Sequence, residues 1–320
     1  MRLLALSEKD VLNALPSAQE LVALVRATLI AYSEGLIDCP PKIGIFPPRS
    51  RHIHAMPAFL PHAGAVGLKW IADYPANKSL GLPSGPAIIV LNDVDTGMPI
   101  SIVNGDSITA TRTAIVSAVA LVACAAPGAS VAALVGTGVE AKSHAIYLPL
   151  ALPQLSSLRI AGRTLDRAKQ FCAETQPQCS IPLIPVSSIE ESVMGADIVV
   201  TVTTTTTVPL LKLDWLKPGA TVEVLDNGGK EQELLAGMDA IFTDSRRQFA
   251  SDETQRLYHE QTPGITSELG EVLAQKHPGR ESDQQRILLL NLGLGACDIA
   301  VAHQVYERAG ALGLGSHVEL

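Results

Sequence analysis

Three basic residues stand alone in apolar or proline-rich surroundings, where a charge needs a reason. Arg112 is the only cation in Ile108-Thr109-Ala110-Thr111-Arg112-Thr113-Ala114, at the head of a long Ala/Val stretch. A desolvated guanidinium is costly unless paired, so it either holds an anion or bridges to Asp106 or another carboxylate. Thr109 and Thr111 stand where a hydroxyl would cap the helix that follows. Lys69 lies in Val66-Gly67-Leu68-Lys69-Trp70-Ile71. Strand alternation puts Leu68 and Trp70 on one face and Gly67, Lys69 and Ile71 on the other. Lys69 then reaches solvent along its alkyl stem or faces a ligand. Lys42, between Pro40-Pro41 and Ile43-Gly44, carries the same ambiguity. His54, in His54-Ala55-Met56-Pro57, is a core histidine, a polar ligand contact or an acid.

A second chemistry is written in glycine. Val131–Val135 runs into Gly136-Thr137-Gly138-Val139-Glu140-Ala141 and then into helix-forming sequence. This G-x-G-x-x-A pattern suits a dinucleotide. The first glycine makes the tight turn, the second lets backbone approach a pyrophosphate, and the small sixth residue lets helix pack on strand. The helix N-terminus adds positive dipole toward the phosphates. At the end of the next strand, where an acid would bind the ribose 2′-hydroxyl, the chain has Ala161-Gly162-Arg163-Thr164. Arginine with a hydroxyl neighbour suits a 2′-phosphate, which favours NADP over NAD. Thr203 opens a run of five threonines directly after a Val-rich strand, at the carboxyl edge where such sheets put ligands. The expected nucleotide contacts are Thr111, Gly136, Thr137, Gly138, Val139, Glu140, Arg163, Thr164 and Thr203. No His/Cys/Asp set has metal spacing, and there is no G-x-S-x-G elbow, so no metal and no serine hydrolase is expected.

The elements that must position these residues fall into two textures. In the first third, Ser17–Tyr32 has helical spacing of apolar residues, His52–Pro57 is extended, and Ala65–Ala72, Ala87–Leu91 and Met98–Val103 read as strands around an Asn/Asp/Gly turn at 92–97. That portion is α+β. Beyond Ile108 the pattern alternates: helix Ala114–Ala126, strand Ser130–Val135, helix to Leu150, strand Leu158–Ala161, helix Asp166–Thr175. Strands follow at Ile181–Val186, Ala196–Val202, Thr221–Leu225, Ala240–Thr243 and Arg286–Leu292, and Ala296–Arg308 is a terminal helix. Such alternation implies an α/β, Rossmann-type doubly wound parallel sheet.

Composition bounds the rest. The chain has 320 residues, 47% hydrophobic and only 4% aromatic, with a net charge of −8. An acidic, aromatic-poor chain neither coats a nucleic-acid backbone nor stacks bases. The five cysteines are scattered with no C-x-x-C pair, arguing against a disulfide framework. No charge occurs from Ala114 to Val135, but Pro127-Gly128 breaks the run. A buried helix and strand fit it better than a membrane span. With Glu8, Lys9 and Asp10 directly after Met1–Leu6, the expectation is a cytoplasmic protein.

Together, His54-Ala55-Met56-Pro57-Ala58, Gly67-Leu68-Lys69-Trp70, the Ile108–Ala114 block, Gly136–Ala141 and Gly293-Leu294-Gly295 with Cys297-Asp298-Ile299-Ala300-Val301-Ala302 resemble, in that order, the ornithine cyclodeaminase/mu-crystallin family. The resemblance implies a homodimer. It also implies a discontinuous substrate-binding and dimerisation domain, residues 1–113 plus 300–320, with the dinucleotide domain 114–299 inserted. Gly293 joins the expected nucleotide contacts on this ground. The positions matching Lys69 and Arg112 would grip the substrate carboxylate, with Lys42 where many members have arginine. Members cyclise ornithine with loss of ammonia, or reduce imines with a nicotinamide cofactor; some are amino-acid dehydrogenases, and mu-crystallin relatives bind NADPH. Cyclodeaminases carry an aspartate in a Gly-Gly-Asp turn after the strand corresponding to Thr221–Leu225. Here the turn reads Asp226-Asn227-Gly228-Gly229-Lys230. Anchoring on Glu233-Leu234 places Asn227 at that position and Asp226 one residue early, which weakens the cyclodeaminase reading.

The expected activity is therefore NAD(P)H-dependent reduction of a small α-imino acid to an L-amino acid. Three cations hint at a dicarboxylate such as iminosuccinate, and Asp226, Lys69 or His54 would supply the proton. The alternatives are an ornithine-type cyclodeaminase that recycles NAD within the turnover, and a non-catalytic NADPH- and ligand-binding protein.

Overall fold

Ser7 and Ser17 start helices by the same device. Each hydroxyl accepts a hydrogen bond from the amide three residues on, and the acid there, Asp10 or Glu20, accepts from the serine's own amide. This reciprocal capping box fixes both starts. In the computed structural model, which describes residues 2–48, 51–203, 210–225, 232–251 and 264–319, they begin α1 (Glu8–Ala14) and α2 (Ala18–Ser33), preceded by β1 (Arg2–Leu6). Sequence periodicity finds α2 but not β1 or α1. Elements of five and seven residues are too short to show a period.

The chain divides into two compact units, Met1–Arg112 with Gly293–Leu320, and Thr113–Leu292. The return to the first unit falls at Gly293, not at residue 300. In that unit β2 (Ile43–Ile45), β3 (His52–Leu60), β4 (Ala65–Asp73), β5 (Ala87–Asn92) and β6 (Pro99–Asn104) form an antiparallel meander. β1 lies parallel beside β6. Helix α3 (Gly105–Cys124) follows at once, nine residues ahead of its expected start. Its first turn is hidden in sequence because Gly105, Asp106 and Ser107 look like a loop. Thr109 and Thr111 consequently lie inside the helix and do not cap it: Thr109 Oγ1 donates to the Gly105 carbonyl one turn back (2.7 Å). α3 is long and apolar enough to cross a membrane, yet most of it is buried inside the fold.

The second unit alternates as expected: β7 (Val131–Val135), α4 (Val139–Ala151), β8 (Ser157–Ala161), α5 (Leu165–Thr175), β9 (Leu183–Val186), α6 (Ile189–Val193), β10 (Ile198–Thr201), β11 (Thr221–Val224), α7 (Gln232–Ala236), β12 (Ala240–Thr243), α8 (Arg246–Phe249), β13 (Ser267–Glu268), α9 (Leu269–Leu273) and β14 (Ile287–Leu290). The strands pair in parallel in the order β13-β12-β14-β11-β10-β7-β8-β9. Connections run one way from β7 through β8 to β9 and the other way from β10 onward. The sheet is therefore doubly wound, with its switch point between β7 and β10, where such folds bind ligands. Ala133, Val199, Val222, Ile241 and Leu288 pack as one of its cores, built from small and branched aliphatic residues.

Helix α10 (Gly295–Leu312) belongs to the first unit, and β15 (Ser316–Glu319) closes that sheet antiparallel to β1. Two glycines let α10 approach. A Cβ on Gly67 of β4 would lie 2.4 Å from the Val90 carbonyl oxygen and 3.2 Å from Ile299 Cδ1, and one on Gly295 would lie 3.0 Å from the Met56 oxygen. This close approach sets the first turn of α10 against β3 and β4.

Candidate active site

Lys69 leaves β4 on the face covered by α10, directly across from Met56 of β3 and Ile89 of β5. Arg112 comes from α3 and Asp298 from the first turn of α10. Asp298 Oδ1 accepts from Lys69 Nζ and from Arg112 Nε, both at 2.8 Å. Lys69 and Asp298 are fully buried and Arg112 nearly so. Asp298 Oδ2 is buried without a hydrogen-bond partner among the described residues. Arg112 thus bridges through Nε to a carboxylate, and its partner is Asp298. Asp106 instead accepts from the Ala87 amide (2.6 Å). Lys69 does not reach solvent.

The cluster is cationic in sum. Among the described residues, the positive charges of Lys69, Arg112 and the half-buried Lys42 act here with the one carboxylate of Asp298. The Lys69 ammonium is pushed down to about 8, first by burial and then by Arg112, with Lys42 adding and Asp298 opposing. Excess positive charge in low dielectric attracts an anion. An amine with that pKa gives up or takes a proton near neutrality.

His54 lies on the same sheet face as Lys69, across from Ile71. It is buried, edge-on to Phe46 and tilted against His52, with ring centroids 6.4 and 4.6 Å away. Thr111 is buried on α3 beside Arg112. Gly293 has φ +92°, and a Cβ there would sit 3.7 Å from an Arg112 guanidinium nitrogen. The structure therefore puts Gly293 with the cationic cluster. Asp226 and Asn227 lie outside the described residues.

In the second unit, the glycine turn sits at the switch point. Gly136 has φ +141°, and a Cβ on it would come within 2.5 Å of the Val202 carbonyl oxygen, just past β10. Only glycine fits there. Gly138 is the N-cap residue of α4, and among the described residues beyond its chain neighbours no atom lies within 4 Å of its Cβ position. That open space beside a helix N-terminus is the room a pyrophosphate needs. Ala141 is fully buried, as helix-on-strand packing requires. Thr137 packs against Gly162, whose own Cβ would meet it at 3.0 Å. Arg163 is exposed at the end of β8, and Thr164 caps α5 by accepting from the Arg167 amide. Val139 is exposed, Glu140 is half-buried, and Thr203 is half-buried two residues past β10. These residues fit a dinucleotide: Gly136–Gly138 and the α4 N-terminus would hold its phosphates.

Sequence reasoning missed Asp298, although it left the same signal as Arg112: one charge in the apolar run Ala296-Cys297-Asp298-Ile299-Ala300. It also missed Glu223, a lone acid inside a valine strand.

Comparison with known proteins finds relatives along the whole chain. The family model described as the ornithine cyclodeaminase/mu-crystallin family matches residues 3–312. The nodulation efficiency protein NfeD of Rhizobium meliloti is 32% identical over 315 residues, spanning 98% of this chain and 97% of that protein. Among solved structures, the Δ(1)-pyrroline-2-carboxylate reductase of Thermococcus litoralis in complex with NADH and L-proline is 27% identical. It superposes with a TM-score of 0.90 over 99% of this chain and 100% of that one. An archaeal alanine dehydrogenase dimer with bound NAD is also 27% identical, with a TM-score of 0.89 and full coverage of both chains.

Proposed function

Because the chain belongs to the ornithine cyclodeaminase/mu-crystallin family, we propose that it reduces a small α-imino acid to the L-amino acid with a nicotinamide nucleotide. The buried Lys69–Asp298–Arg112 cluster carries this reading, since it offers surplus positive charge and a titratable amine in one place. When bound, the nicotinamide supplies the hydride to the C=N carbon. The protein's share is to hold the imine and move its proton. Arg112 and Lys42 bind the substrate carboxylate. Asp298 holds Lys69 and Arg112 side by side and offsets one of their charges. Lys69 gives a proton to the imine nitrogen as the carbon takes the hydride, so C=N becomes CH–NH and the balance closes.

Offsetting by Asp298 changes the substrate expectation. Among the described residues, once Lys69 has given its proton to the imine, Arg112 and Lys42 against Asp298 leave a surplus of one, which matches one carboxylate. A monocarboxylate such as a cyclic imine is the principal reading, in keeping with the pyrroline-2-carboxylate reductase likeness. The dicarboxylate iminosuccinate is the second, favoured by Lys42, whose charge reaches Lys69. NADP is taken over NAD on Arg163, exposed where an NAD site would carry an acid. The five cysteines are all buried and none is joined in a disulfide among the described residues, in keeping with the cytoplasmic reading.

A homodimer completes the proposal. Ile43, Ala55, Trp70 and Ile88 lie in one cross-strand row over β2 to β5. Ile43, Trp70 and Ile88 are 64%, 39% and 47% exposed, an apolar stripe that a second copy would cover. The activity is tested by following NADPH and NADH absorbance with pyrroline-2-carboxylate and with pyruvate or oxaloacetate plus ammonia. Oxidation with a monocarboxylate imine is expected, and no oxidation with any of them overturns the reading.

A further inference from the structure

Glu223 lies on β11 in the middle of the parallel sheet, fully buried between Val222 and Val224. Its Oε1 accepts from Asn291 Nδ2 at 2.6 Å and lies 2.9 Å from Ser117 Oγ on α3. Its Oε2 is buried with no hydrogen-bond partner among the described residues. Ser117 Oγ is in turn 2.9 Å from Nε2 of His144 on α4, which is also fully buried. His144 Nδ1 completes the chain, 2.7 Å from the Glu140 carbonyl oxygen.

A carbonyl has no proton to donate, so His144 Nδ1 carries one. The two contacts at Ser117 Oγ, to Nε2 and to Oε1, need two protons between them, and the hydroxyl supplies one. The Thr113 carbonyl, 3.1 Å from the same hydroxyl, competes for that proton and deepens the shortfall. The missing proton sits either on Nε2, making an imidazolium facing a carboxylate, or on Glu223 as a carboxylic acid. Burial selects the second arrangement, which desolvates no charge.

We propose that Glu223, Ser117 and His144 share one buried proton, resident on Glu223, and that its loss as the solution is brought from mildly acidic to neutral pH weakens the nucleotide-binding unit. An ionised Glu223 would be a buried charge with one oxygen unpaired. The strain would pass through Ser117 and His144 to the Glu140 carbonyl, in the first turn of α4 behind Gly138. The groups facing Glu223 agree with this placement. They are Ser117 and Cys124 from α3, His144 from α4, Asp244 beyond β12 and Asn291 beyond β14. Arg280 bonds Thr221 Oγ1 at the far end of β11. Among the described residues the charge of Asp244, like burial, favours the protonated acid, and the carboxyl is raised to about 7. Burial lowers the His144 imidazole to about 4.

The two shifts act on stability with opposite sign. Glu223, raised when folded, contributes stability below its unfolded value and loses it as pH rises through about 7. His144, lowered when folded, gains over roughly pH 4 to 6.5. Subtraction separates them. Thermal unfolding of the full chain is measured from about pH 5 to 9 for the native protein and for Glu223→Gln, which mimics the protonated acid. The midpoint of Glu223→Gln is expected to rise relative to the native one as pH climbs from about 5 to about 7, where only the folded state holds the proton, and then to hold a constant lead. A difference that does not change with pH overturns the proposal. Should Glu223→Gln fail to fold, the carboxyl ¹³C resonances of the native protein decide. A glutamate still protonated at about pH 6 is expected, and uniformly ionised glutamates at that pH overturn it.

Discussion

Asp298 Oδ1 and Lys69 Nζ meet at 2.8 Å across 229 residues of chain, both fully buried. The pair explains how a lysine is tolerated on an internal strand face and why its charge is only partly offset, since Arg112 shares the same oxygen.

Removing that oxygen leaves two cations facing each other in low dielectric. Asp298→Ala is expected to cost about 3–5 kcal/mol, the range for breaking a buried pair. Lys42→Ala, at a half-buried position, should leave stability within about 1 kcal/mol while raising the substrate KM. Denaturant unfolding beside steady-state kinetics reads both.

Lys69 sets a pH limit. With its ammonium lowered to about 8, the proton it gives to the imine is present below that value and lost above it. The kcat of reduction should fall as pH rises through about 8, and oxidation of the amino acid should rise over the same interval. Lys69→Met should abolish that inflection as well as most of the rate.

The two loop glycines should separate folding from binding. Gly136→Ala meets both the positive φ and the Val202 oxygen and should cost about 1–3 kcal/mol of stability. Gly138→Val has open space around it. It should unfold like the native protein yet lose nucleotide binding, as fluorescence titration with NADPH would show.

Arg163→Ala should weaken NADPH binding by on the order of tenfold, the worth of one charge-assisted contact. NADH binding should not change. Equal loss of both nucleotides would remove Arg163 from the 2′-phosphate.

Trp70→Asp places a charge in the middle of the exposed stripe across β2 to β5. Sedimentation should show a dimer for the native chain and a monomer for the variant, with thermal stability of the isolated fold little changed.

Much of this was legible in the sequence. Strand–helix alternation located β7 through β12, and the glycine turn was legible between a strand and a helix by its own spacing. Arg112 and Lys69 stood out because a charge in an aliphatic run has few explanations. Their partner did not, because pairing over 186 and 229 residues is set by the close approach of α10 through Gly67 and Gly295, which no local pattern records. The result matters chemically: three isolated cations suggested a dicarboxylate, and one hidden aspartate removes a charge from that count. β1 and α1 were too short for periodicity, and the polar first turn of α3 passed for a loop. Glu223 passed as a strand residue because Ser117, His144 and Asn291 come from three other parts of the chain.

The central claim is that hydride passes from the nicotinamide to the imine carbon of a small amino-acid precursor held by its carboxylate. Mass spectrometry of the product formed from pyrroline-2-carboxylate and 4-deuterated NADPH tests it most directly. One deuterium at the α-carbon of proline, with one nucleotide oxidised per product, is the predicted result. Proline formed from ornithine with ammonia released and no net change in nucleotide, or no labelled product at all, would contradict it.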